Sequence, residues 1–415
     1  KLIKSSTLGL TMEDADGADT ERRRRDTANQ PGQATAQGSG KEWVDQTCTY
    51  DRFLAGLGRI KIDTGVGQDG WSAYLLRKAP EEVKRGYWRD LCRCIAQQRF
   101  PEEYNVWIAL LAPKPEEDPK ELSRRRDLWL VPHGQKLCVR MLLGEYERAA
   151  DHEVPGSQGG FSHLRGAAEM MLTMRAHKED CMLQQRPCLR GFVDLGVFFM
   201  SCVRECQWEV EKRMKVKPEV TDVMRVLHGE VKGRYETAWG LTEEVPVMEG
   251  VGQGCVAAPA RSKLMLGIMQ RAINKLAYGY RFTGAEGGCT QLFYADDGCW
   301  LASNVADLQM MFDTAWMVAR ALGLNVTIKA NGKKTAWMGI YWEDGEAKHI
   351  RGWDIYLPNG EKVPQVERYK YLGGEELGVW KDRHQAVQQK MKKQCCQLLR
   401  MLGRVPILGP EQLRR

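Results

Sequence analysis

Two adjacent carboxylates, Asp296 and Asp297, stand between the apolar runs Leu292-Phe293-Tyr294-Ala295 and Gly298-Cys299-Trp300-Leu301. Apolar flanks imply a buried hairpin with Asp-Asp-Gly at its tip, and two like charges side by side raise each other's pKa unless a divalent cation compensates them. Asp and Gly are also ordinary turn residues, so the motif alone fits a plain hairpin as well as a metal site. A two-metal phosphoryl-transfer site needs a further carboxylate from a separate strand. Asp194 is the best placed, because Leu189-Arg190-Gly191-Phe192-Val193 is a strand-like run that ends on it. Phe199 follows five residues later, and core packing is the ordinary role for such a ring.

The elements that must hold these acids are visible as changes of period. Ser162 to Arg175 reads as a helix with Ser162 as a possible cap. Ser201 to His228 is helical and precedes short strands at Arg234 to Trp239 and Glu244 to Glu249, the second leading into a turn at Gly252. Lys263 to Leu276 is a long helix, and Ser303 to Leu322 another, with Leu308, Met311, Phe312 and Ala315 on one face and Gly323 as terminator. Ala336 to Tyr356 alternates and turns at Asp344-Gly345. Strand, helix, hairpin, helix, strand is a split βαβ, RRM-like arrangement, so the fold class is α+β. Trp43 to about Phe100 reads as mainly helical. Lys1 to Lys41 is too poor in large apolar residues to offset ordering entropy and is expected to be disordered. Within it, Arg22 to Arg25 could be a nuclear-import or nucleic-acid arm, or solvated linker.

This order of blocks, from about Gly86 to Gly403, resembles the reverse transcriptases of non-LTR (LINE-type) retrotransposons. The resemblance rests on the Tyr294-Ala295-Asp296-Asp297 hairpin and the acid-ended strand at Asp194. It extends to Pro155-Gly156-Ser157-Gln158-Gly159-Gly160-Phe161 as a template-side loop and Gly252-Gln253-Gly254 with Pro259 as the turn beside the nascent pair. Gly323 through Met338 and Tyr369-Lys370-Tyr371-Leu372-Gly373 follow in the family's order. Departures are Gly196-Val197-Phe198 and Met200 around Phe199, Val256-Ala257-Ala258 after the Gly turn, and Asp127 after Arg126. None removes a metal ligand.

The resemblance implies a right-hand polymerase. Its parts would be a disordered segment at 1–41, a helical N-terminal extension at 42–112, fingers at 113–190, an RRM-like palm at 191–374 and the start of a truncated thumb at 375–415. It implies that Asp194 and Asp296 bridge two Mg²⁺ ions, with Asp297 secondary and Mn²⁺ an alternative from the same oxygen-ligand chemistry. Lys114 and Arg126 would contact the triphosphate, Gln253 the nucleotide or template base, and Phe199 the sugar as a steric gate. Lys334 would protonate the leaving pyrophosphate, with Lys333 as its rival, and Tyr371, Leu372 and Gly373 would form the primer grip. The expected partners are an RNA template, a DNA primer and deoxynucleoside triphosphates. An RNA-dependent RNA polymerase and a catalytically inactive nucleic-acid-binding derivative of such an element remain the alternatives.

Composition agrees without deciding. A net charge of +7 suits a polyanion partner and equally a solvated surface. No apolar run approaches the ~20 residues of a membrane span, so a soluble protein with no membrane partner is expected. The 13 cysteines are scattered, with no Cys-x-x-Cys or zinc-ligand spacing, which points to free thiols in a reducing intracellular compartment, nucleus or cytoplasm. The chain opens on Lys1 rather than Met and shows no signal peptide, as a fragment would.

Overall fold

Four helices come first among the described residues: α1 (Ser39–Thr47), α2 (Tyr50–Arg59), α3 (Ala73–Lys78) and α4 (Glu81–Gln97). The computed structural model describes residues 39–113, 125–162, 165–196, 198–252, 254–285 and 288–377; of the segment expected to be disordered (1–41), residues 1–38 lie outside them, as does the expected thumb helix, Gln385 to Leu402. Side-chain caps start two of the helices, the Thr49 hydroxyl accepting from the Arg52 N–H and the Ser72 hydroxyl from the Tyr74 N–H. The helical reading of the N-terminal region holds to Gln97 and fails at its end, where β1 (Val106–Pro113) is a strand. The cause is Val-Trp-Ile-Ala-Leu-Leu, a continuous apolar run suited to a strand with neighbours on both sides. β1 pairs antiparallel with β2 (Arg125–Leu130) and parallel with a later strand.

Helix α5 (His133–Glu153) follows, then α6 (Ala167–Leu183). α6 starts later than the expected Ser162, because the Ser162 hydroxyl donates to the Gln158 carbonyl instead (2.7 Å), and the Glu169 carboxylate accepts the Gly166 N–H (2.7 Å). Next come β3 (Cys188–Val193), β4 (Leu195–Gly196), α7 (Phe198–Ser201), α8 (Arg204–Arg213), α9 (Pro218–Gly229), β5 (Lys232–Thr237), β6 (Gly240–Leu241) and β7 (Val245–Pro246). β7 stops early, since Pro246 cannot extend the ladder as a donor. The first sheet runs β2-β1-β5-β6, with β7 on β5, over a small core of Trp107, Ala109, Trp129, Val131 and Val231.

The rest is α10 (Ala258–Leu276), the short pair β8 (Tyr280–Arg281) and β9 (Gly288–Cys289), β10 (Gln291–Tyr294), β11 (Asp297–Ala302), α11 (Val305–Ala321), β12 (Asn325–Val326), β13 (Ala336–Glu343) and β14 (Glu346–His349). Hairpins β15 (Ile355–Tyr356) with β16 (Lys362–Val363) and β17 (Arg368–Tyr371) with β18 (Gly374–Leu377) close the described chain. Asn304 caps α11 through the Asp307 N–H (2.8 Å), and Gly323, at φ +75°, ends it in the left-handed region as its position implied. Among the described residues no helix is long and apolar enough to cross a membrane.

The second sheet has the order β10-β11-β3-β13-β14, antiparallel throughout. Its middle strand, β3, is buried along its whole length and divides two cores by the period-2 rule. Leu189 and Val193 join the larger core with α5, α10 and α11 residues, while Cys188 and Phe192 join a second core with Met174, Cys299, Met338 and Tyr371. At Gly191 an added Cβ would lie 2.8 Å from the Trp300 ring and 3.0 Å from Leu308, so α11 sits directly on the strand that leads to Asp194.

Candidate active site

The register between β3 and β11 brings the acids together. Val193 lies opposite Gly298, so one residue further on Asp194 leaves β3 beside Asp297, the first residue of β11. The hairpin is tighter than expected: its two-residue turn is Ala295-Asp296, and Asp297 and Gly298 already belong to β11, with Tyr294 paired to Asp297. Ala295 takes the left-handed conformation (φ +55°), which an Asp-Gly tip would have supplied more cheaply.

The Ala295 conformation is held from outside the hairpin. Buried Gln158 accepts the Ala295 N–H (3.1 Å) and the Gly160 N–H (2.9 Å) through its carbonyl oxygen, and donates its amide to the Ala295 carbonyl (3.3 Å). The Ser157–Gly159 segment adds main-chain bonds to Phe293 in both directions, 2.9 and 2.7 Å. A Cβ on Gly160 would fall 1.9 Å from the Ala295 nitrogen, so only glycine lets the loop approach this closely. By sequence alone Gln158 has a place in a motif and no structural task, because the bond spans 137 residues.

Asp194 is fixed on three sides. Its N–H donates to the Thr335 hydroxyl (3.1 Å), its carbonyl accepts the Thr327 N–H (2.9 Å), and its carboxylate takes an ion pair from Lys334 Nζ at 2.7 Å. Of the two neighbouring lysines, Lys334 is therefore the one turned into the site, and Lys333 is exposed. Tyr369 donates its hydroxyl to the Lys334 carbonyl (2.8 Å) and stacks flat on Phe192, centroids 4.0 Å apart.

The electrostatics record the crowding of charge. Asp297 keeps an exposed edge, yet protein packs its inner side. Burial pushes its pKa from 3.8 up to about 6, with the charges of Asp296 and then Asp194 adding to the rise and Lys334 opposing it. The same field, after burial, raises the Tyr369 hydroxyl through Asp194 and Asp297. Three carboxylates meeting where one of them is reluctant to ionise, with an ammonium against another, is a site short of positive charge. An all-oxygen donor set of this kind fits a hard divalent cation.

The other expected site residues fall differently. Tyr371 is buried, its hydroxyl donating to the Leu292 and Asp297 carbonyls (3.3 and 3.2 Å), so it braces the acidic hairpin from below. Leu372 and Gly373 form the two-residue turn between β17 and β18, both with positive φ (+47° and +79°). Phe199 is half-buried against the larger core and meets Phe198 edge-on at 5.4 Å, while Phe198 is fully buried. Lys114 and Gln253 lie outside the described residues. Arg126 is described only in its backbone, which pairs with Ala112. On either side of Gln253, Gly252 (φ +61°) and Gly254 (φ +125°) press so closely on the Trp107 ring and the Trp129 carbonyl that a Cβ would come within 2.4 and 2.3 Å, locking this turn to the first sheet.

Acids gathered at one end of an antiparallel sheet, with an all-oxygen donor set, form the kind of site that nucleotidyl-transfer enzymes use to hold divalent cations. A model of the family described as reverse transcriptase (RNA-dependent DNA polymerase) matches residues 130–375, more than half the chain, and the chain belongs to that family. It is an RNA-directed DNA polymerase acting on a nucleic-acid template and deoxynucleoside triphosphates, and the family works with divalent metal ions.

Proposed function

We propose that this chain is the polymerase of a non-LTR retrotransposon, copying an RNA template from a DNA primer, with Asp194 and Asp296 as bridging ligands for two Mg²⁺ and Asp297 as a secondary one. The convergence of the three carboxylates at the β3–β11 register supports the ligand assignment, and the order of sequence blocks from about Gly86 to Gly403 supports the non-LTR one. The ions, when bound, would supply Lewis-acid activation of the primer 3′-hydroxyl and charge neutralisation at the triphosphate. Mn²⁺ suits the same ligands.

The chain's own residues would do the rest. Lys334, already against Asp194, exchanges that partner for a phosphate oxygen and delivers a proton to the leaving pyrophosphate. Phe199 lies under the sugar, where its ring would clash with a ribose 2′-hydroxyl. Lys114, Arg126 and Gln253 contact the incoming nucleotide, and the Tyr371-Leu372-Gly373 turn places backbone against the primer. In this reading 113–190 are fingers, 191–374 palm and 375–415 the start of a thumb, and the free thiols suit a reducing intracellular compartment, nucleus or cytoplasm.

Primer extension on an RNA template with Mg²⁺ tests the assignment. Asp194→Asn and Asp296→Asn should each abolish extension while leaving the fold intact by circular dichroism, and extension at the wild-type rate in either would remove the ligand assignment. Phe199→Ala should admit ribonucleotides; unchanged sugar discrimination would return the ring to a core role.

A further inference from the structure

Local spacing of the cysteines offers no metal site, but the fold assembles one. His177 and Cys181 stand four residues apart on α6 and so share a face of the helix, and Cys188, the first residue of β3, returns beneath them. One ligand atom from each lies within 4.8 Å of the others, and all three residues are buried. We propose that His177, Cys181 and Cys188 form a closed binding site for a thiophilic d¹⁰ cation, Zn²⁺ or Cu⁺.

The distances suit the chemistry. Cys188 Sγ lies 3.7 Å from His177 Nδ1. Zn–S and Zn–N bonds of about 2.3 and 2.05 Å at a tetrahedral angle would set those atoms about 3.6 Å apart. Arg190 Nε donates to the same Nδ1 at 3.4 Å, a long hydrogen bond that a metal would displace from the nitrogen's single lone pair. Nε2 of His177 is buried and has no hydrogen-bond partner among the described residues, and with a metal on Nδ1 it would carry the ring proton. The Arg190 charge is cancelled by Glu376 at 2.8 Å, and Asp180, on the outer side, is engaged by the Tyr280 hydroxyl (2.8 Å) and the Thr283 N–H (3.0 Å). The Pro187 carbonyl, 3.6 Å from Cys181 Sγ, and the Tyr280 hydroxyl, which also interacts with Cys181, are oxygens beside the cluster.

Two thiolates and an imidazole select a soft ion over Mg²⁺. Binding exchanges the two thiol protons for the metal, so Zn²⁺ with two thiolates is neutral overall. This place is separate from the acids: Cys188 and Asp194 are six residues apart along an extended strand, about 20 Å. The bound ion would pin the end of α6 to the start of β3.

Metal analysis of the full untagged chain, purified without chelator, tests this. About one equivalent of zinc or copper should accompany the wild type and the Cys94→Ser control, and Cys181→Ser or Cys188→Ser should lose it. Should those variants misfold, the wild type decides: both thiols should resist alkylation until a zinc-selective chelator is added, and Co²⁺ in place of the native ion should give a thiolate charge-transfer band. Background metal content after refolding in Zn²⁺, rapid alkylation of both thiols in its presence, or their recovery as a disulfide would each overturn the proposal.

Discussion

Asp297→Asn removes a negative charge that the metal-free fold resists. In the folded chain the carboxyl titrates at about 6 instead of 3.8, so the native state holds that proton more tightly than the unfolded chain does. The resulting destabilisation is absent below pH 4, grows between 4 and 6 and is complete above 6. At about 1.4 kcal/mol per pK unit the shift amounts to at most about 3 kcal/mol. The exposed edge of Asp297 lets solvent screen it to about 1 kcal/mol. With divalent ions chelated at pH 8, the Asn variant should therefore melt higher than the wild type, by about 1–2 °C for a chain of this size. The gap should close toward pH 4, and added Mg²⁺ should raise the wild type more than the variant. Differential scanning calorimetry across pH and metal concentration reads all three. A variant that melts lower than the wild type in chelator at pH 8, or a gap that does not narrow on acidification, would refute the charge-crowding account.

Gln158→Ala leaves the Ala295 and Gly160 amides unpaired beneath the acidic turn, costing about 1–3 kcal/mol. Extension should fall far more than thermal stability, and a variant that copies RNA normally would show that the turn holds itself. Glu376→Leu strands the fully buried Arg190 guanidinium, so guanidinium unfolding should report a loss of about 3–5 kcal/mol, and a loss under 1 kcal/mol would contradict the pairing. Gly373→Ala places a Cβ at φ +79° and should cost about 1–2 kcal/mol, visible as a lower urea midpoint with an unchanged slope.

Much of the positioning scaffold was readable because it is local. The strand ending at Asp194, the α11 period with its Gly323 stop, and the hairpin at Asp344-Gly345 each carry their signal within a short window. The acids themselves were legible as residue types out of place among apolar neighbours. The turn was read one residue too late, since Asp-Asp-Gly is the better turn former by composition and only Gln158, far upstream, makes Ala295 the residue that bends. The Arg190–Glu376 pair and the His177, Cys181 and Cys188 cluster were invisible for the same reason: their partners meet only when α6, β3 and β18 are stacked, and no spacing rule encodes that stacking.

The bracing of the acidic hairpin from both chain directions bears on how the protein is born. Gln158 leaves the ribosome well before Ala295, whereas Thr335, Tyr369 and Tyr371 follow later. At about 5–20 residues per second of synthesis, the gap from Asp297 to Tyr371 lasts several seconds. Throughout that interval a nascent chain carries its acids without their final supports, and translation arrested there would yield a product unable to polymerise.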